Sequence, residues 1–203
     1  GMYFTGTVNS NSDMLTAINN ACVAAGWTLT SGVLTSGDVA VKLEVQTGRL
    51  MAQIGTGRSG SALVNPCVPK FGLGFSTGTG TAGAITYPAT YHIFAFDDEV
   101  YVALNYRLDY YQWLAFGKAK DVPAGEGQFM SGAITDQYAY NANENIIATI
   151  NSVSTGIPGS SRSTDSQTTS TAYSNQKYRP ILVHSSNLVV RTSLRGSVEW
   201  VSS

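Results

Sequence analysis

Three features of this 203-residue sequence predict an α+β fold, with an N-terminal helix packed on a mainly antiparallel β-sheet and long loop-rich segments. One stretch near the N-terminus has helical apolar spacing and both a start and a stop signal. After it the apolar period drops to two. The composition, with 21 Gly and abundant Thr and Tyr, favours strands and turns.

The helix comes first. Ser10-Asn11-Ser12-Asp13 gives the Ser-x-x-Asp pattern of a capping box. Met14, Ile18, Ala21, Cys22 and Ala25 then fall on one face. Gly26 supplies a left-handed stop, and Trp27 is placed to fold back on the last turn. Short strands are predicted over 27–30 and 33–35, around Ser31-Gly32. Val39, Val41, Leu43 and Val45 alternate with Ala40, Lys42, Glu44 and Gln46, a strand with one wet face. Thr47-Gly48 turns the chain into a strand over 49–54. Helix followed by meander puts Met14 and Ile18 on Val41 and Val45.

Residues 55–83 are rich in Gly, Ser and Thr and read as a long loop, a kind that is mobile or ordered by a neighbour. The densest aromatic stretch follows, over 91–117. Residues 91–96 and 100–108 form a hairpin around Asp97-Asp98-Glu99, and 111–116 adds a third strand. Both sides of 91–96 are apolar, which predicts a central strand covered on both faces. Beyond 122 the signals thin. Ile146, Ile147, Ile150 and Val153 have helical spacing among poor helix formers. Residues 156–176 read as loop, and 178–183, 188–192 and 197–201 as returning strands. The organisation is then a helix-and-sheet core over 1–120 and a loop-rich segment with C-terminal strands over 121–203, within one domain.

Charged residues make up 12% of the chain against about 25% in ordinary soluble domains. The net charge of −1 and the absence of a Lys/Arg run leave no electrostatic footprint for nucleic acid. No apolar run is long enough for membrane insertion. No signal-peptide pattern is seen, and Gly1 before Met2 reads as an expression scar. Cys22 and Cys67 have no metal spacing. Cys22 reads as a buried small hydrophobe, with a Cys22–Cys67 disulfide as the alternative.

No catalytic, cofactor-binding or metal-ligating set is predicted. Asp97, Asp98 and Glu99 are the sole acidic cluster, able in principle to act as acid and base or to hold Ca²⁺. Successive strand residues diverge, however, so a solvated hairpin tip is favoured. His92 and His184 lack partners at metal spacing. Gly57-Arg58-Ser59-Gly60-Ser61 and the Gly-x-Gly spacings of 72–83 open no helix and do not form a phosphate loop. Trp113, Leu114 and Phe116 are predicted core. Tyr106, Tyr110 and Tyr111 are the interface candidates, since tyrosine suits protein contacts and sugar stacking; one of the successive pair Tyr110 and Tyr111 must face outward.

Pro88-Ala89-Thr90-Tyr91-His92-Ile93-Phe94, Asp98-Glu99-Val100-Tyr101-Val102, Asn105-Tyr106 and Asp109-Tyr110-Tyr111-Gln112-Trp113-Leu114-Ala115-Phe116-Gly117 together resemble a pattern of structural, tail or tail-tip type virion proteins of tailed bacteriophages and prophages. Ala24-Ala25-Gly26-Trp27-Thr28-Leu29 is similar as well. The resemblance covers about half of the chain. It implies a non-enzymatic tail protein in the virion, assembled in the bacterial host cytoplasm, that forms a homo-oligomer and docks on other virion proteins. It transfers no catalytic residue. The competing expectations are a carbohydrate- or receptor-binding module of a phage tail, with tyrosines as stacking platforms, and a cell-wall hydrolase using the acidic cluster.

Overall fold

The computed structural model describes residues 1–66, 70–74, 84–108, 110–119, 127–135, 146–150, 181–183 and 189–191. In chain order these form β1 (Met2–Val8), α1 (Asn11–Ala24), β2 (Thr28–Thr30), β3 (Val33–Ser36), β4 (Val39–Gln46), β5 (Arg49–Gly55), β6 (Gly57–Ser59), β7 (Ala62–Val64) and β8 (Phe71–Gly74). Then come β9 (Ala89–Ala95), β10 (Glu99–Arg107), β11 (Tyr110–Ala119), β12 (Gly127–Gly132), β13 (Ile134–Thr135), β14 (Ile146–Ile150), β15 (Ile181–Val183) and β16 (Val189–Arg191). One N-terminal helix thus packs against antiparallel sheets, in a mainly β molecule of α+β character.

The capping box closes as the sequence predicts. Ser10 Oγ accepts from the Asp13 N–H at 3.0 Å, and Asp13 Oδ2 accepts from the Asn9 N–H at 3.2 Å. At the other end Gly26 has φ +108°, and the Trp27 N–H returns to the Cys22 carbonyl at 3.0 Å. The Trp27 indole is buried edge-on against Phe116, at 5.7 Å and 90°, and its Nε1–H donates to the Phe96 carbonyl at 2.7 Å. Two neighbours therefore fix the hydrophobic cap, one apolar and one polar.

Twelve of the described strands form two six-stranded sheets, and β6–β7 and β15–β16 are separate two-stranded ones. The first has the order β1-β9-β10-β11-β12-β14, the second β13-β8-β5-β4-β3-β2. Met14, Ile18, Ala21 and Cys22 on α1 are buried between them, against Ile93 and Ala95 of the first sheet and Val41 and Ile54 of the second. Away from the helix the sheets meet directly, where β11 and β12 touch β8. Here a Cβ on Gly132 would lie 2.6 Å from the Gly72 N, so only glycine admits the approach. Just beyond, the chain leaves the first sheet and enters the second as β13, paired with Phe71 and Gly72. Such a corner is how a strand switches between packed sheets. A side chain closes the same seam: Gln112 of β11, fully buried, accepts from the Gly74 N–H at 2.7 Å and donates to the Gly74 carbonyl at 3.3 Å.

Several expectations change. A strand, β1, precedes the helix and pairs with β9 in unbroken register from Met2↔Ala95 to Val8↔Ala89. The segment 55–83 is not one long loop. It contains the β6–β7 hairpin and β8, whose Phe71 and Leu73 are fully buried; 67–69 and 75–83 lie outside the described residues. Met14 and Ile18 share a core with Val41, but Val45, near the end of β4, is 44% exposed and outside that core. Strand β9 is covered on one face only, since Phe94 is exposed. Residues 146–150 form a strand, not a helix, paired with β12: a short apolar run has no reliable period. The returning strands are seen at 181–183 and 189–191, while 156–176 and 197–201 lie outside the described residues. Cys22 is a free, buried thiol, and burial pushes its pKa up to about 12.

Candidate functional site

In the first sheet the even-numbered side chains of β10 and β11 point to the core: Val100, Val102 and Leu104, then Leu114 and Phe116. The odd-numbered ones point away from it. The register sets these outer positions in two rows, Tyr3↔Phe94↔Tyr101↔Ala115 and Thr5↔His92↔Ala103↔Trp113, with Asn105↔Tyr111 alongside. No charged residue stands at any of these positions.

The rings are linked. Tyr3 stacks on Phe94 at 5.0 Å, Tyr3 and His92 are nearly coplanar in orientation at 6.0 Å, and His92 lies 6.1 Å from Tyr111. Tyr3 Oη and His92 Nδ1 share a hydrogen bond of 2.7 Å. The rings nevertheless stay open to water: Tyr3 is 53% exposed, Tyr111 43%, Phe94 42% and Trp113 37%. Buried Ala103 and Ala115 give the patch a low floor between the rings. The result is an uncharged aromatic face with polar tips, held on a rigid sheet.

The three interface candidates separate. Tyr111 belongs to this face. Tyr110 is also exposed, but lies at the hairpin end, with the Arg107 guanidinium 5.4 Å above its ring and the exposed Leu108 beside it. Tyr106 is buried and is corrected to a core residue: it stands at an even-numbered position of β10, like the buried Val100, Val102 and Leu104. Both members of the Tyr110–Tyr111 pair are exposed, Tyr110 at the hairpin end and Tyr111 on the outer face. Trp113 was expected in the core and is instead on the open face. Tyr3 was missed along with its strand, and Phe94 and His92 were assigned to a covered one. The available signal was parity: Trp113 differs from the buried Leu114 and Phe116 by an odd number of residues.

The acidic cluster is not a solvated tip. Asp97 is exposed, but Glu99 is buried, and its Oε2 accepts from the Tyr101 hydroxyl at 2.5 Å. The turn is anchored through its backbone: Ser36 Oγ donates to the Asp97 carbonyl, and the Lys118 N–H donates to the Asp98 carbonyl at 2.7 Å. Gly117, at φ +153°, lies so close that a Cβ would come within 2.4 Å of the Asp98 oxygen. Among the described residues no three His, Cys, Asp or Glu side chains gather as a metal site, and no helix is long and apolar enough to cross a membrane. Residues 57–61 build the β6–β7 hairpin and open no helix. A polar cleft of about 320 Å³ lies by Lys42, Glu44, Met51, Gln53 and Lys70. Its Lys70–Glu44 ion pair, at 2.7 Å, holds the Glu44 carboxyl below its ordinary range. That is surface ion pairing, with no nucleophile and base set against each other.

A scan against protein-family models finds no matching family, and a search of curated proteins finds no relative.

Proposed function

We propose that this chain is a non-enzymatic, tail-associated structural protein of a phage or prophage virion, acting through subunit contacts. One observation carries the proposal: the uncharged face of Tyr3, His92, Phe94, Tyr111 and Trp113, open on a rigid sheet. Contiguous exposed aromatics mark interaction surfaces, and interface centres are depleted in charge and enriched in Tyr and Trp. The resemblance over 88–117 supplies the virion context. On this reading the chain folds in the host cytoplasm, and its sheet face is covered by a neighbouring virion protein.

The test uses a strain carrying the gene. Its prophage is induced, particles are purified on a density gradient, and their proteins are identified by mass spectrometry. The chain is expected in tailed particles at stoichiometric level, and Trp113→Ser with Tyr111→Ser is expected to remain folded but to be excluded from them. Particles lacking the native chain would overturn the virion reading. Incorporation of the double variant at native level would overturn the role of the face.

A second reading has its own support. Tyr3, Tyr111, Trp113 and His92 offer apolar ring faces with polar tips, the chemistry that stacks on sugar rings. A glycan array, with the same double variant as control, tests it: dose-dependent binding lost in the variant would favour a carbohydrate-binding tail module.

A further inference from the structure

The geometry points to a symmetric dimer of this chain, formed by antiparallel pairing of β1 with β1 of a second copy about a two-fold axis at Thr5. This names one partner within the assembly reading above and rests on it.

The first argument is what the strand lacks. Among the described residues β9 is the only neighbour of β1, so its other edge offers backbone N–H and C=O groups to a partner. Natural edges are usually guarded by charge, proline or a bulge. Met2–Val8 has no charged residue and no proline, and its register with β9 is unbroken.

The second argument is self-complementarity. Directly opposed residues point to the same side of an antiparallel sheet. Keeping both helix-bearing faces on one side, and both aromatic faces on the other, requires odd positions to meet odd positions. Of the registers that do so, the one centred on Thr5 uses the whole strand. It sets Met2 against Val8, Tyr3 against Thr7, Phe4 against Gly6, and Thr5 against its own copy. Each large side chain of one strand then meets a smaller one of the other. Thr–Thr is a favourable cross-strand pair. The self-paired strand carries no like charges to repel. The two aromatic faces join across Tyr3 into one surface on a continuous twelve-stranded sheet.

The test is charge swapping at the axis. Thr5 is exposed, so Thr5→Lys and Thr5→Glu are compatible with the fold, which matching melting temperatures would verify. In the native chain, sedimentation velocity should show a concentration-dependent dimer. Each variant alone places like charges opposite each other and should self-associate less, by up to about five-fold. An equimolar mixture of the two should regain association at low salt, because only mixed dimers pair Lys with Glu. Hydrogen exchange supplies a second readout without substitution: alternate amides of Met2–Val8 should gain protection as concentration rises.

A native monomer at all concentrations would overturn the proposal, as would β1 amides already protected in a monomer, which would show that the chain covers its own edge. A dimer indifferent to both substitutions would place the contact elsewhere. None of these outcomes affects the particle-incorporation result for the Trp113 and Tyr111 double variant, so the dimer and the virion role fail separately.

Discussion

Replacing Gln112 by leucine tests the seam between the two sheets. The Gln112 amide serves Gly74 as a neighbouring strand would, accepting from its N–H and donating to its C=O. Leucine conserves volume and removes both bonds. Two backbone groups at a buried site are then orphaned, at roughly 1–3 kcal/mol each. Burying leucine in place of an amide returns about 1–2 kcal/mol. The net expectation is a loss of about 2–3 kcal/mol, a large share of the stability of a domain of this size. Urea unfolding followed by tryptophan fluorescence measures it, with the slope unchanged if the denatured state is unaffected. Hydrogen exchange gives the local signature: the Gly74 amide should lose protection, while that of Val41, far along the same sheet, should not. A loss below about 0.5 kcal/mol, or an unchanged Gly74 amide, would refute the idea that this side chain substitutes for a strand.

Phe116→Ala should cost about 3–5 kcal/mol, because the ring is fully buried and edge-on to Trp27; chemical denaturation reads it directly. Cys22 should resist thiol reagents until the protein unfolds. Its folded pKa is raised to about 12 from 9.0, so only the unfolded thiol ionises between those values, and stability present below pH 9 should fall progressively from pH 9 toward 12. Tyr87, also raised to about 12, mainly by burial and then by Asp13, adds to the same alkaline loss, and Cys22→Ala should flatten the lower part of the profile. Leu108 is 78% exposed at φ +48°; Leu108→Gly should stabilise by about 0.5 kcal/mol, the relief of left-handed strain less the entropy of glycine, seen as a small rise in melting temperature. Glu99→Gln should cost about 1–3 kcal/mol, because a neutral amide replaces the charged acceptor of the bond from Tyr101, by the same denaturation assay.

The parts of the fold legible in the sequence are those where local chemistry and tertiary structure agree. The Ser10–Asp13 box and the Gly26 stop each have a local cause and are found in place; the strand over 39–46 is found too, but Ala40, expected on its wet face, is fully buried. Strand β1 was overlooked because its wet face is built from Thr and its dry face from Phe4, Gly6 and Val8, so the contrast is low. Strand β8 was hidden in a Gly-rich run: Phe71 and Leu73 are separated by Gly72, a glycine needed because the Leu50 carbonyl would meet any Cβ at 2.1 Å. The aromatic face was half legible. The richness of 91–117 in aromatics is plain in the sequence, but hydrophobicity alone assigned Trp113 and Phe94 to the core. Which face is covered depends on where α1 and the second sheet lie, and these are long-range facts. Tyr106 shows the opposite error: it shares the parity of the buried Val100, Val102 and Leu104, and its polar tip alone suggested an interface.

The pairing of β1 with β9 also sets an order of events during synthesis. Its partners lie between 81 (Val8 to Ala89) and 93 (Met2 to Ala95) residues apart in the chain, whereas β2 to β5 form a local meander. Long-range closure is slow. On a ribosome adding about 5–20 residues per second, β1 waits roughly 4–20 seconds for its partner to emerge. Throughout that interval α1 and the meander can form, while an uncharged strand waits unpaired. A substitution that weakens β9 would lengthen the exposure, and its first symptom would be exchange of β1 between newly made chains, before any loss of melting temperature in the protein that folds correctly.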